Sequence, residues 1–171
     1  YRATLEYDGA DFFGFQRQAE GPTVQGEVEN ALRRLGWRGQ AILAAGRTDT
    51  GVHAAGQVIA FDFDEWKHGE GDLLRALNAN LPPAIAVKSL AEAAPDFHPR
   101  YSAKSRRYRY TIYNAPVRSP LLARSAWHVP TPELSLAGLN EASARLVGRR
   151  DFATFGTPPE AVSSTSVYSM S

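Results

Sequence analysis

The sequence has no cysteine, one methionine and almost no net charge. Without cysteine there is no disulfide framework, thiolate nucleophile or cysteine metal site, so any chemistry must come from Asp, Glu, His, Lys, Tyr or Ser. That composition suits a reducing compartment. The 19 Lys plus Arg nearly cancel the 18 Asp plus Glu, so bulk charge makes no case for a polyanionic partner and any nucleic-acid argument rests on local clusters. No apolar run approaches a membrane span, and the start lacks the basic, apolar and small-residue order of a secretory signal. No membrane partner and a cytoplasmic location are the expectations. His53, His68, His98 and His128 are scattered without metal-ligand spacing, and no metal is expected.

What is present fits a globular chain. At 171 residues, 43% hydrophobic and 22% charged, it is long enough for one compact domain or two small ones sharing a core. It starts at Tyr1 without methionine and ends on a polar stretch from Ser163 to Ser171, so both ends read as cut. Tyr1, Ala3, Leu5 and Tyr7 alternate with Arg2, Thr4 and Glu6, the period of a half-buried strand, which Asp8-Gly9 ends. From Thr23 as cap, Val24, Val28, Ala31, Leu32 and Leu35 share one helical face, with Gly36 at the exit. Residues 41–45 and 57–63 read as strands around a glycine-bounded turn. A second helix is expected from Asp72 as cap through Leu73, Leu74 and Leu77, stopped by Pro82-Pro83 before a strand at 85–89. Residues 105–113 read as a long strand with Tyr108, Tyr110 and Ile112 on one face and Arg107, Arg109 and Thr111 on the other. A third helix is expected from about Ser135 to Val147, with Leu136, Leu139, Ser143, Leu146 and Val147 on one side. Strands mixed with flanking helices predict an α+β sheet. A soft boundary falls in 91–99, dividing the chain into halves 1–95 and 96–171, the second with too few strands to be complete.

Asp49 stands in the run Gly46-Arg47-Thr48-Asp49-Thr50-Gly51-Val52-His53-Ala54. A carboxyl with an ordinary pKa near ~3.9 is ionised at neutral pH, and Arg47 two positions away is placed to hold it so. Such a group is a nucleophile rather than a proton donor, with His53 as a hydrogen-bonding neighbour. The plainer reading is a surface turn in which Asp49 accepts backbone hydrogen bonds. The glycine spacing matches a phosphate-binding loop, but Val52-His53 stands where Lys and Ser or Thr are needed, so triphosphate binding is not expected. Asp8, Asp11, Asp62 and Asp64 lie among turn and strand-edge signals and form no catalytic pair.

Between Phe97 and Tyr113 the bases Arg100, Lys104, Arg106, Arg107 and Arg109 interleave with Tyr101, Tyr108, Tyr110 and Tyr113, without one Asp or Glu. Phosphate contact combined with base stacking uses this mixture, and so does a solvated edge strand with core tyrosines.

The nine-residue run around Asp49 resembles the signature of the tRNA pseudouridine synthase A family, Gly-Arg-Thr-Asp-Ala-Gly-Val-His-Ala, with Thr50 as the one departure. Further segments match in the same order: Tyr7-Asp8-Gly9, Gly14-Phe15-Gln16-Arg17-Gln18, Thr23-Val24-Gln25, Gly56-Gln57-Val58, Asn80-Leu81-Pro82, Phe97-His98-Pro99-Arg100, Arg107-Tyr108-Arg109-Tyr110 and Asp151-Phe152. Phe15 replaces a usual Trp and Pro99 a usual small residue. A Phe-Leu-x-x-Met-Val-Arg-like segment, which closes the family's site, is absent.

The resemblance implies a pseudouridine synthase fold: a mixed, mainly antiparallel sheet from two ferredoxin-like halves with flanking helices, the second half incomplete. It implies a homodimer isomerising uridine to pseudouridine on the 3′ side of the tRNA anticodon stem-loop, with no cofactor and no metal. It makes Asp49 the nucleophile, Arg47 the residue that fills the gap left by an extruded base, and Tyr108 the ring that packs on the uracil. His53, Arg100 and Arg107 are the accompanying substrate contacts. Whether Asp49 attacks the sugar, adds to the ring or assists proton loss from the ribose stays open. A non-catalytic RNA-binding sheet is the main rival, and a glycosidase-like hydrolase lacks its second carboxylate.

Overall fold

Alternation of Ala3, Leu5 and Tyr7 with polar neighbours produces the first strand, β1 (Arg2–Tyr7), and sends those three side chains into the core. The computed structural model describes residues 1–151 and 167–170. Phe152 of the Asp151-Phe152 match, and residues 163–166 and 171 of the polar stretch, lie outside the described residues. Cα proximity divides the chain into Tyr1–Arg109 and Tyr110–Ser171, some way beyond the composition change at 91–99.

In the first unit β1 is central. It pairs antiparallel with β3 (Ala54–Ala60) through Arg2↔Ala60 and with β4 (Ile85–Ala91) through Arg2↔Ala91. The short β2 (Leu43–Ala44) flanks β3, giving the order β2-β3-β1-β4. Helix α1 (Val24–Arg34) lies between β1 and β2 in sequence, and α2 (Glu70–Asn80) between β3 and β4. The result is an α+β arrangement with a mainly antiparallel sheet.

Thr23 caps α1 by accepting the Gly26 N–H at 3.2 Å, and Val24, Val28, Ala31 and Leu32 are buried on the face their spacing defined. They share a core cluster with Leu5, Ile59, Leu73, Leu77, Ile85 and Val87. Fully burying a leucine of this kind contributes roughly 1.5–3 kcal/mol. Helix α2 begins earlier than its sequence signals: Gly69 is the N-cap, and Asp72 sits in the first turn, ion-paired to Arg75. An acidic residue there is favourable against the N-terminal end of the helix dipole without being the cap.

The long strand expected over 105–113 does not form. Residues 103–111 have no regular structure, and pairing starts only at β5 (Ile112–Asn114), parallel to β6 (Trp127–Val129). Alternating side chains do not make a strand when the backbone has no neighbouring strand to bond. Helix α3 (Leu136–Ala144) is capped by Ser135 and ends before Leu146 and Val147, and none of its residues is buried. The apolar face read from its sequence is therefore exposed among the described residues. Strands β7 (Gly148–Asp151) and β8 (Val167–Met170) pair antiparallel.

Candidate active-site loop and cationic cleft

The Asp49 loop runs from β2 to β3 and is tied down at every stage. The Gly46 carbonyl accepts from Gln57 Nε2 at 2.7 Å, and the Ala45 N–H donates to the Val58 carbonyl at 2.8 Å. The Thr48 carbonyl accepts the Phe15 N–H at 2.9 Å, while Thr48 Oγ1 is 2.8 Å from the Tyr7 hydroxyl. Val52 N–H donates to the Asp49 carbonyl at 3.1 Å, closing a turn whose third residue, Gly51, has φ of 79°. That is type II turn geometry, which favours glycine at this place. His53 Nδ1 then meets Asp8 Oδ1 at 2.9 Å and the Gly9 nitrogen at 3.2 Å, fastening the loop's far end to the exit of β1.

A second glycine permits the loop to sit so close. Gly14 has φ of 85°, and a Cβ there would approach the Thr48 carbonyl oxygen to 2.8 Å. Tyr7, buried beneath Thr48, has its hydroxyl pKa raised above 10.0 chiefly by burial, with hydrogen bonding to Thr48 and Gln57 acting the other way. A phenol held neutral is a suitable fixed donor or acceptor for Thr48.

Asp49 itself is exposed. No hydrogen bond or ion pair engages its carboxylate among the described residues, so it is not the backbone-capping aspartate of an ordinary turn. Arg47 is also exposed and forms no ion pair with Asp49. Exposed pairs of this type gain only about 0–1 kcal/mol, too little to fix two long side chains.

Beside the loop lies a cleft of about 750 Å³ whose walls include Arg17, Gly46, Arg47, His98, Arg100 and Arg106, with no Asp or Glu among its lining residues. A nearly neutral chain thus concentrates positive charge in one concavity, where the field is focused on an incoming anion. Arg106 Nη2 donates to the Ala45 carbonyl at 2.8 Å, joining the irregular Tyr/Arg segment to the start of the loop. The His98–Ser102 turn, which also contributes to the lining, is closed by Ser102 N–H to the His98 carbonyl at 2.8 Å and by Arg100 N–H to His98 Nδ1 at 3.1 Å.

Of the residues singled out from sequence, Arg47, His98, Arg100, Tyr101 and Arg106 line this cleft together, and Asp49 does not. Asp49 lies two residues beyond Arg47 on the same loop. His53 anchors that loop, and Arg107 and Tyr108 are exposed in the irregular segment, outside the cleft lining. Sequence reasoning gave no role to Arg17 or to the buried Glu29, and named Arg106 only as one of the bases of the Tyr/Arg cluster. The signal for Glu29 was the polar stripe Gln25, Glu29 and Arg33, at spacing four, beside the apolar face of α1. Among the described residues no group of three or more His, Asp or Glu is placed to hold a metal, and no helix is long and apolar enough to cross a membrane.

Residues 3–102 match the family model described as tRNA pseudouridine synthase. The chain is 48% identical over 157 residues to tRNA pseudouridine synthase A of Geobacter sulfurreducens, covering 90% of this chain and 62% of that protein. It is 47% identical over 155 residues to the Neisseria gonorrhoeae protein of the same name, covering 89% and 57%, and 48% identical over 161 residues to that of Rhizobium meliloti, covering 91% and 63%. The chain thus spans 57% to 63% of the length of these curated relatives. With the family's match covering more than half of it, including the whole Asp49 loop, the chain belongs to the tRNA pseudouridine synthase family.

Proposed function

We propose that this chain carries the nucleophile-bearing part of an enzyme that isomerises uridine to pseudouridine in tRNA, with Asp49 as nucleophile. One observation carries the reading: an exposed carboxylate without a partner among the described residues, on a loop fixed from several sides beside a cationic cleft. A binding module has no use for a rigidly presented anion where phosphates approach.

In the reaction the bond from the ribose carbon to the uracil nitrogen breaks and a bond to a ring carbon forms. One proton leaves that carbon and one reaches the freed nitrogen, so atoms and electrons balance without oxidant, reductant, cofactor or metal. Asp49 stabilises or traps the separated sugar or base. A stacked uridine must first leave its helix at a cost of a few kcal/mol. Arg47, at the cleft edge, fills the vacated space, Tyr108 packs on the extruded ring, and Arg100 and Arg107 contact the RNA backbone. His53 supports the substrate from the loop end that it anchors.

The substrate uridines are assigned to the 3′ side of the anticodon stem-loop, the active species to a homodimer and the location to the cytoplasm. Both halves of the fold are read as ferredoxin-like. The β-α-β-β-α-β order of the first unit supports this for one half. Halves of 1–95 and 96–171 remain the functional division proposed. The lack of regular structure over residues 103–111 argues against the rival RNA-binding sheet, which would need a strand there to display Tyr108 and Arg107. Incubating the full chain with a tRNA transcript and measuring pseudouridine tests the reading; folded protein that binds tRNA without forming pseudouridine overturns it.

A further inference from the structure

Glu29 is completely buried, and its carboxylate is enclosed by four polar donors rather than by water. Its Oε2 accepts from Arg17 Nη1 at 2.6 Å and Arg33 Nη2 at 3.3 Å, and its Oε1 accepts from Gln25 Nε2 at 2.8 Å and the Ile42 N–H at 3.2 Å. Gln25 also takes the Arg17 N–H on its own Oε1 at 3.1 Å. Arg17 is therefore held twice, by its main chain through Gln25 and by its guanidinium through Glu29.

A buried ion pair is a poor device for stability alone, because well-packed apolar residues commonly do as well or better. Its value lies in placing something. What this one places is Arg17, which lines the cleft with Arg47, Arg100 and Arg106 and keeps half of its side chain exposed. Two guanidiniums against one carboxylate leave the group positive. Arg47 and Arg100 have no side-chain partner among the described residues and must be ordered when a ligand arrives, while Arg106 is tied only by its bond to the Ala45 carbonyl. Arg17 is ordered beforehand, which reduces the entropy lost on binding.

We propose that Glu29 is a positioning residue that fixes Arg17 in the cleft wall as a cation for an RNA phosphate. This rests on the proposed RNA substrate. The test uses the full chain and a tRNA transcript, with Arg17→Met, Glu29→Gln and the double variant checked for folding by thermal unfolding. Arg17→Met should lower the slope of log affinity against log salt by about one and raise KM for tRNA while kcat is kept. Glu29→Gln should move KM and slope the same way, and the double variant should be no worse than Arg17→Met alone. An unchanged slope for Arg17→Met, or full additivity of the two changes, overturns the inference. If Glu29→Gln does not fold, Gln25→Leu, which removes the other tie on Arg17, replaces it in the cycle with the same two outcomes. Pseudouridine formation with an unchanged Arg17→Met slope sinks this inference alone. A lowered slope in a chain that binds tRNA but makes no pseudouridine sinks the enzymatic reading and leaves this one standing.

Discussion

The Tyr7 hydroxyl lies 2.8 Å from Thr48 Oγ1, so the end of the central strand grips the residue before Asp49. Tyr7→Phe should cost about 1 kcal/mol through this lost hydrogen bond, measured by denaturant unfolding. It should also change the alkaline limb. Because the folded-state pKa of Tyr7 is raised above 10.0, its contribution is whole below pH 10 and is lost as pH rises through the folded value. Tyr1 is raised too, first by burial and then by Glu92 and Glu70, so Tyr7→Phe should flatten the decline above pH 10 without abolishing it. An identical decline in both proteins would contradict the assignment.

Gly14→Ala should destabilise the chain by about 1–3 kcal/mol, since φ of 85° is strained for alanine and its Cβ would press on the Thr48 carbonyl. Pseudouridine formation should fall further than stability does, because the displaced atoms belong to the Asp49 loop. Unfolding curves beside initial rates separate the two effects. A rate loss no larger than the unfolded fraction would show the contact to be structural only.

Two neighbouring arginines ought to behave differently. Arg106 lines the cleft and bonds to the Ala45 carbonyl, whereas Arg107 is exposed outside the cleft lining. Each change to alanine should weaken tRNA binding and lower its salt slope by about one. Only Arg106→Ala should also lower the melting temperature. An unchanged slope for Arg107→Ala would remove it from phosphate contact.

Tyr108 is 85% exposed and has no regular secondary structure around it. Tyr108→Phe keeps a stacking ring and removes a hydroxyl of the kind that can move a proton, so tRNA affinity should hold while the rate falls about 10²-fold. Rate and binding both intact would take Tyr108 out of the chemistry.

How much of this was legible in the sequence depends on the range of the forces involved. Helix α1 was readable because its cap, Thr23, and its apolar face, from Val24 to Leu32, are local. The Asp49 turn was readable because Gly51 marks the left-handed turn position. The strand over 105–113 was misread because Tyr/Arg alternation carries the period of a strand but says nothing about whether another strand lies alongside. Arg17, Gln25, Glu29, Arg33 and Ile42 come together only in three dimensions, so the buried carboxylate was invisible as a site although its spacing on α1 was in view. The Arg47–Asp49 pairing inferred from proximity in sequence is absent, because solvent screens such pairs too well to hold them.

The most direct test of the central claim is pseudouridine formed by full-chain Asp49→Asn on a tRNA transcript, beside the unaltered chain. The loop is held by backbone, Tyr7, Gln57 and His53 contacts that the substitution leaves in place. The variant should fold and bind tRNA normally yet form no pseudouridine above background; product at the unaltered rate would contradict the assignment of Asp49 as nucleophile.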